Sequence, residues 1–366
     1  MINSIEDVVK FIDDKSFKKI FLLTGKKSFI NSKANIILEK LRNDKEIEFF
    51  YKNSEIPIFE ELVEIIKKIK LFKPNLILAI GGGSVIDYAK IANVVDLKEN
   101  LSKLIITYSY PFSKKFSKLV TIPTTAGSGA EVTSNAVIYI KGVKYSLESE
   151  ILIPDFFFLV PEFIISSPYK LKASAGFDAI AQALESLISK KSNYQSVNYA
   201  SKALKISTKS YISFLKNPNL KNAAEMCVSS NLAGKAINIS KTTAPHAVSY
   251  PFTSLYNISH GHSVSLFFEK FFKFNYINLL KADTTFKLKN RFDLIFDLFE
   301  VQNINQFITK ISLIKKKAKL EDNLEKLKID INKNSKEIIK GINLLRLGNN
   351  PIKIDKTDII DVIFKR

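Results

Sequence analysis

The chain has 366 residues, 46% apolar and 25% charged, with a formal net charge of +19. That length supports a full core and points to two domains, and the composition is that of an ordinary soluble globular protein. No apolar run reaches the roughly 18 residues of a membrane helix, and MINSIEDVVKFIDD carries acids where a secretory leader needs basic residues, so the expected compartment is the cytoplasm, with no membrane partner.

The single cysteine, Cys227, cannot form an internal disulfide, which agrees with a reducing compartment. The lysines are spread along the chain; only KKKAK, Lys315 to Lys319, is compact, and it reads as the exposed face of a late helix. A diffusely basic surface does not make a nucleic-acid groove, so no nucleic-acid partner is expected, although the charge can steer an anionic substrate inward.

In chain order, KKIFLLTG (Lys18 to Gly25), IEFFYK (Ile47 to Lys52) and NLILAIGGG (Asn75 to Gly83) read as short strands closed by turn signals. SKANIILEKLR and FEELVEIIKKIKLF between them have helical spacing, and strands alternating with helices predict a parallel sheet covered on both faces. KLVTIP, NAVIYI and DFFFLV continue the strands to about Val160. After SSPYK the texture changes: GFDAIAQALESLIS, SVNYASKALKISTKSYISFLK and NAAEMCVSSNLAGKAINIS predict successive helices. The expected architecture is an α/β lobe over 1–162 followed by an all-α lobe over 163–366, with ligands bound beyond the carboxyl ends of the strands in the cleft between lobes.

GGGSVIDYAK, Gly81 to Lys90, follows a strand and opens a helix. Its glycines allow close approach of a ligand, and the helix start offers free N–H groups, so it suits a pyrophosphate; equally, it reads as a tight turn with Ser84 as N-cap. TIPTTAGSGAEVTSNAVI, Thr121 to Ile138, is a second donor-rich loop between strands, suited to phosphate or ribose contacts, or a plain polar connection. Two such loops in one α/β lobe favour a dinucleotide site.

GFDAIAQALES places Asp178 and Gln182 on one face of an otherwise apolar helix, where an acid needs a partner. The chain has three histidines, His246, His260 and His262, all within APHAVSYPFTSLYNISHGHS. PFTS and NISHG suggest a break between the first two, which could converge from two helix ends. Taken one at a time, each histidine reads as a capping or core residue ahead of a ligand. One carboxylate with two imidazoles would suit Fe²⁺ or Zn²⁺ and leave a position open for substrate.

Jointly, the GGGS turn, the TAGSGAE loop, the Asp opening a helix and two later histidines, the second in an HG step, resemble the group III, iron-activated alcohol dehydrogenases. The resemblance runs from about Lys18 to the HGH segment, and more weakly through the helical tail. It implies the dehydroquinate synthase-like fold, a dinucleotide-binding α/β lobe plus a helical lobe, with NADPH or NADH and a divalent metal, and a homodimer formed through the α/β lobe. It implies that Gly81, Gly82, Gly83 and Ser84 hold the pyrophosphate, with Asp87 on the cofactor side, and that Thr124, Thr125 and Ser128 lie along the phosphates and nicotinamide.

Metal ligands by the same resemblance are Asp178, His246 and His260. Gln182 stands where many members have a second histidine and would coordinate weakly through its amide oxygen. Tyr250 replaces a further common histidine, and His262 is an added group. Gly25 replaces the acid that usually closes the first strand in NAD-preferring members, so Lys26, Lys27 and Ser28 could face a 2′-phosphate.

The run from Asn238 to Leu266 is similar to the branch that reduces phosphonoacetaldehyde to 2-hydroxyethylphosphonate. Lys241, Thr242, Tyr250 and His262 would then surround a small anionic aldehyde, with Lys241 pairing the phosphonate and the proton coming from bound water or through His262 or Tyr250. The alternatives are reduction of another short aldehyde, oxidation of a polyol, or a degenerate member that binds nucleotide without catalysis. Lys241 equally reads as a surface residue near a helix start.

Overall fold

The computed structural model describes residues 2–364 apart from 42, 110, 111 and 113. By contact density the chain divides into two compact units, 1–168 with 219–228, and 169–218 with 229–366.

The first unit is built on a five-stranded parallel sheet in the order β2-β1-β3-β4-β7. Its strands are β1 (Lys19–Gly25), β2 (Glu46–Lys52), β3 (Leu76–Gly81), β4 (Lys118–Pro123) and β7 (Phe156–Phe157); β5 (Asn135–Ile140) and β6 (Val143–Glu148) form a separate antiparallel hairpin. The helices of this region are α1 (Ile5–Asp14), α2 (Lys26–Asn31), α3 (Ile36–Lys40), α4 (Phe59–Phe72), α5 (Gly83–Ala92), α6 (Leu101–Ile106) and α7 (Glu162–Ile165). Successive strand residues point to opposite faces, so both faces need cover. Phe21, Leu23, Ile77 and Ala79 pack with Leu62 and Ile66 of α4, Ala89 of α5 and Ile138 of the hairpin. Ile20, Leu22, Leu78 and Ile80 pack with Val8 and Ile12 of α1 and Ile37 of α3.

Three expectations are corrected here. NAVIYI is a strand but leaves the parallel sheet: Lys141 and Gly142 both take positive φ, the geometry of a two-residue hairpin turn, and bring back VKYSLE as its partner. SKANIILEKLR is not one helix, because Lys33 turns left-handed and only Ile36–Lys40 remains helical after it. DFFFLV contributes just two paired residues, Phe156 and Phe157, against Val120 and Thr121.

The second unit is helical, and the helices of the remaining chain run α8 (Tyr169–Ile188), α9 (Tyr194–Lys216), α10 (Leu220–Ser240), α11 (Ala244–Tyr256), α12 (His260–Ser265), α13 (Phe268–Ile277), α14 (Leu288–Phe299), α15 (Ile304–Lys317), α16 (Ser335–Gly341), α17 (Leu344–Leu347) and α18 (Lys356–Phe364). α8 is buried on nearly every side from Phe177 to Ile188, which makes its polar residues Asp178, Gln182 and Glu185 conspicuous. KKKAK is not a uniformly exposed face: Lys315 is buried and paired with Glu269 at 2.9 Å, while Lys316 and Lys317 face water. No helix among the described residues is long and apolar enough to cross a membrane.

Candidate metal centre and nucleotide loops

In the first unit the strand order reverses between β1 and β3, and a parallel sheet of this order opens its ligand crevice at the carboxyl ends of those strands. β1 ends at Gly25 and β3 at Gly81. The N-cap of α5 is Gly82, in place of the expected Ser84, and it makes no side-chain capping bond, so the N–H groups of the first turn face outward from the helix start. The two glycine-bearing loops lie against each other. A β-carbon on Gly83 would sit 2.8 Å from Ser128 Oγ, one on Gly82 3.6 Å from Thr125, and the Thr124 amide donates to Gly81 O at 3.0 Å.

Lys26 and Lys27 are exposed at the start of α2, and Ser28 donates its hydroxyl to Gly25 O at 3.0 Å. Asp87, one turn inside α5, faces the hairpin: burial pushes its carboxyl up to about 6, opposed by Lys90 and by the Val137 amide that donates to it. Lys90 is fully buried and donates to Asn135 O at 2.8 Å and Thr133 Oγ1 at 3.0 Å, which fastens α5 to the end of the second loop.

In the second unit Asp178, His246 and His260 each offer one ligand atom, all within 4.8 Å of one another. Asp178 Oδ1 lies 3.1 Å from His246 Nε2 and 3.9 Å from His260 Nε2. Three elements bring them there. α8 carries the acid; His246 is the third residue of α11; His260 opens α12. The break between the last two falls at Asn257, in the left-handed region, and PFTS is helical. Pro251 is tolerated inside α11 because Ala247 O, which loses its intrahelical donor, accepts the Asn343 amide at 3.1 Å. Gly261 explains the HG step: a β-carbon there would lie 2.0 Å from Ser174 O and 2.8 Å from Asp178 Cβ, so only glycine lets α12 seat on α8.

Gln182, one turn after Asp178, is buried and donates its amide to Asp178 Oδ2 at 3.1 Å. Its Oε1 is buried with no hydrogen-bond partner. Glu185 was not singled out from the sequence, yet its buried carboxylate contacts His246 Nδ1 and accepts from the Thr243 amide at 2.7 Å and hydroxyl at 2.9 Å. The signal was present in the i, i+4, i+7 spacing of Asp178, Gln182 and Glu185 along an apolar helix.

Burial on its own would pull the His246 imidazolium down; the Glu185 carboxylate, helped by Asp178, outweighs it and pushes the pKa up to about 10. The pocket therefore favours positive charge beside its carboxylates. A divalent cation held by one carboxylate oxygen and two imidazole nitrogens meets that demand with borderline donors, and the orphaned Gln182 oxygen adds a neutral one nearby, so the residues fit such an ion.

The remaining expected site residues are placed as follows. Tyr250, one turn beyond His246, is buried with its ring centroid 6.2 Å from that of His260. His262 donates from Nε2 to the Glu321 carbonyl oxygen at 2.6 Å, which ties α12 to the segment after α15, and burial lowers its pKa. Lys241, in the left-handed region at the end of α10, donates to Asn238 O at 3.0 Å, and Thr242 is buried.

Residues 2–161 match the family described as "Iron-containing alcohol dehydrogenase", and residues 172–366 match "Fe-containing alcohol dehydrogenase family, C-terminal". The chain belongs to the iron-containing alcohol dehydrogenase family, and it is an alcohol dehydrogenase or aldehyde reductase. It is 32% identical to the 4-hydroxybutyrate dehydrogenase of Clostridium kluyveri over 74% of each chain. It is 28% identical to the 1-propanol dehydrogenase of Citrobacter freundii over 80% of this chain and 78% of the other. The sulfoacetaldehyde reductase of Bifidobacterium kashiwanohense, solved in complex with NAD+, shares the fold with a TM-score of 0.87 at 22% identity, covering 98% of this chain and 93% of that one.

Proposed function

We propose that this protein is a metal-dependent NAD(P)H oxidoreductase that reduces a short anionic aldehyde, with phosphonoacetaldehyde, giving 2-hydroxyethylphosphonate, as the substrate. The observation that carries the reading is the convergence of Asp178, His246 and His260. These three hold the ion, with Gln182 as a weak fourth donor. Gly81, Gly82, Gly83 and Ser84 hold the pyrophosphate, Thr124, Thr125 and Ser128 line its far side, and Gly25, Lys26 and Ser28 border the adenosine ribose, where Lys26 leaves room for a 2′-phosphate.

When bound, the metal supplies a Lewis acid for the aldehyde oxygen and the nicotinamide supplies the hydride. The chain's own part is orientation and proton supply. Tyr250 is the better placed of the two proposed proton donors, because its ring lies against His260 whereas His262 has committed Nε2 to Glu321 O. Lys241 supplies the charge for the phosphonate. An anionic substrate is supported by the similarity to 4-hydroxybutyrate dehydrogenase.

A neutral short substrate is the second reading, favoured by the bond from Lys241 Nζ to Asn238 O, which takes one of the three N–H groups of the ammonium, and by the similarity to 1-propanol dehydrogenase. Following NADPH and NADH absorbance with phosphonoacetaldehyde, butanal and, in reverse, glycerol, before and after chelation, separates them. The proposal expects a kcat/KM preference for phosphonoacetaldehyde that chelation abolishes; a preference for butanal or glycerol would transfer the assignment, and turnover that survives chelation would remove the metal from it.

A further inference from the structure

Glu185 stands two turns along α8 from Asp178, with a side chain that is fully buried. A buried carboxylate is costly unless each oxygen is satisfied, and here both are. One oxygen, Oε2, accepts two hydrogen bonds from Thr243, the residue preceding α11. The other, Oε1, meets His246 Nδ1. Thr243 makes no capping bond with its own side chain; Glu185 instead holds the Thr243 amide and hydroxyl, with its charge at the positive end of the helix dipole. The Ser189 hydroxyl donates to Ser240 O at 2.5 Å and the Ser240 hydroxyl to Ser186 Oγ at 2.8 Å, so the chain entering α11 is also fastened to α8 just beyond Glu185.

We propose that Glu185 is a positioning residue for the metal: it holds the outer nitrogen of His246 and the start of α11 together, so that His246 presents Nε2 beside Asp178 Oδ1. An acceptor on Nδ1 keeps a hydrogen on that nitrogen, so that when a metal displaces the proton shared with Asp178 the lone pair of the ring is on Nε2, the atom that faces Asp178. The acid that ligates and the acid that orients ride on one helix, seven residues apart, so their spacing does not depend on loop closure. Two buried carboxylates also match the charge of a divalent ion.

This inference rests on the metal reading above, and a double-mutant cycle keeps the two apart. Co²⁺ affinity, read from the visible absorption of the bound ion, is measured for the wild type, Glu185→Gln, His246→Ala and the double variant, with metal-free thermal midpoints as the fold control. Glu185→Gln is expected to weaken binding about 10- to 100-fold, as loss of an orienting partner does. In the His246→Ala background the same change is expected to cost nothing further, because the group it orients has gone. A merely structural role would weaken binding by the same factor in both backgrounds, and that result overturns the inference, as does a Glu185→Gln affinity within twofold of wild type. If Glu185→Gln does not fold, Glu185→Asp, which keeps the charge and withdraws it by one methylene, replaces it in the cycle with the same two overturning outcomes. Unchanged affinity in His246→Ala alone would instead contradict the metal site, and the inference would fall with it.

Discussion

Gly261 is pressed so closely on α8 that a β-carbon added to it would lie 2.0 Å from the carbonyl oxygen of Ser174. No side-chain rotation relieves a clash with backbone, so α12 must move, and with it His260, the residue immediately before. Gly261→Ala is expected to destabilise the protein by about 1–3 kcal/mol, the usual cost of overpacking, and to lower metal occupancy. Thermal unfolding and elemental analysis of the purified variant check both.

Gly83 carries a milder constraint, because the atom it would meet, Ser128 Oγ, belongs to a side chain that can rotate. Gly83→Ala is expected to weaken NADPH binding by roughly tenfold, about 1.4 kcal/mol. Metal occupancy should stay unchanged. Fluorescence titration of the cofactor, with metal analysis alongside, separates the two sites; equal loss at both would count against a role confined to the nucleotide.

Gln182 already spends its amide N–H on Asp178 Oδ2, and its oxygen is a weaker donor for zinc than imidazole nitrogen. Gln182→His is therefore expected to raise Zn²⁺ affinity by about tenfold or more, read by competition with a chromophoric chelator. An unchanged affinity would show that position 182 does not reach the ion.

Lys241 provides the test of substrate charge. Lys241→Ala is expected to raise KM for phosphonoacetaldehyde about tenfold while leaving KM for butanal nearly unchanged, measured by steady-state kinetics. Equal changes for both substrates would place Lys241 outside the substrate pocket.

Asp87 ties stability to pH. Burial raises its folded pKa to about 6 from its ordinary 3.8, so the native state binds more protons between those values. The stabilising contribution is present in full below about pH 4 and is lost as pH rises through 6. Because Asp87 keeps part of its surface in water, the loss is on the order of 1–2 kcal/mol. Urea unfolding from pH 4 to 7 should show this decline in the wild type and its absence in Asp87→Asn.

Much of this is legible in the sequence. β1 and β3 announce themselves as apolar runs closed by glycine, and Asp178 is conspicuous as an acid in an apolar helix. What escaped depended on tertiary pairing. NAVIYI has the composition of a sheet strand, and only the Lys141–Gly142 turn, with both residues at positive φ, sends it into its own hairpin. Pro251 looked like a helix break because the donor that rescues Ala247 O comes from Asn343, 96 residues further along the chain. Glu185 was passed over because a glutamate reads as a surface residue until its partners, Thr243 and His246, arrive from another helix. Lys315 was read as exposed for the same reason in reverse: Glu269, its partner, lies on a different helix.

The central claim is one divalent ion held by Asp178, His246 and His260. Anomalous diffraction from crystals grown with excess Fe²⁺ or Zn²⁺, recorded at the metal edge, tests it most directly. The account predicts one strong peak at about 2.0–2.2 Å from Asp178 Oδ1, His246 Nε2 and His260 Nε2. Metal-replete crystals with no peak there, or with Asp178 turned away from both imidazoles, would contradict it.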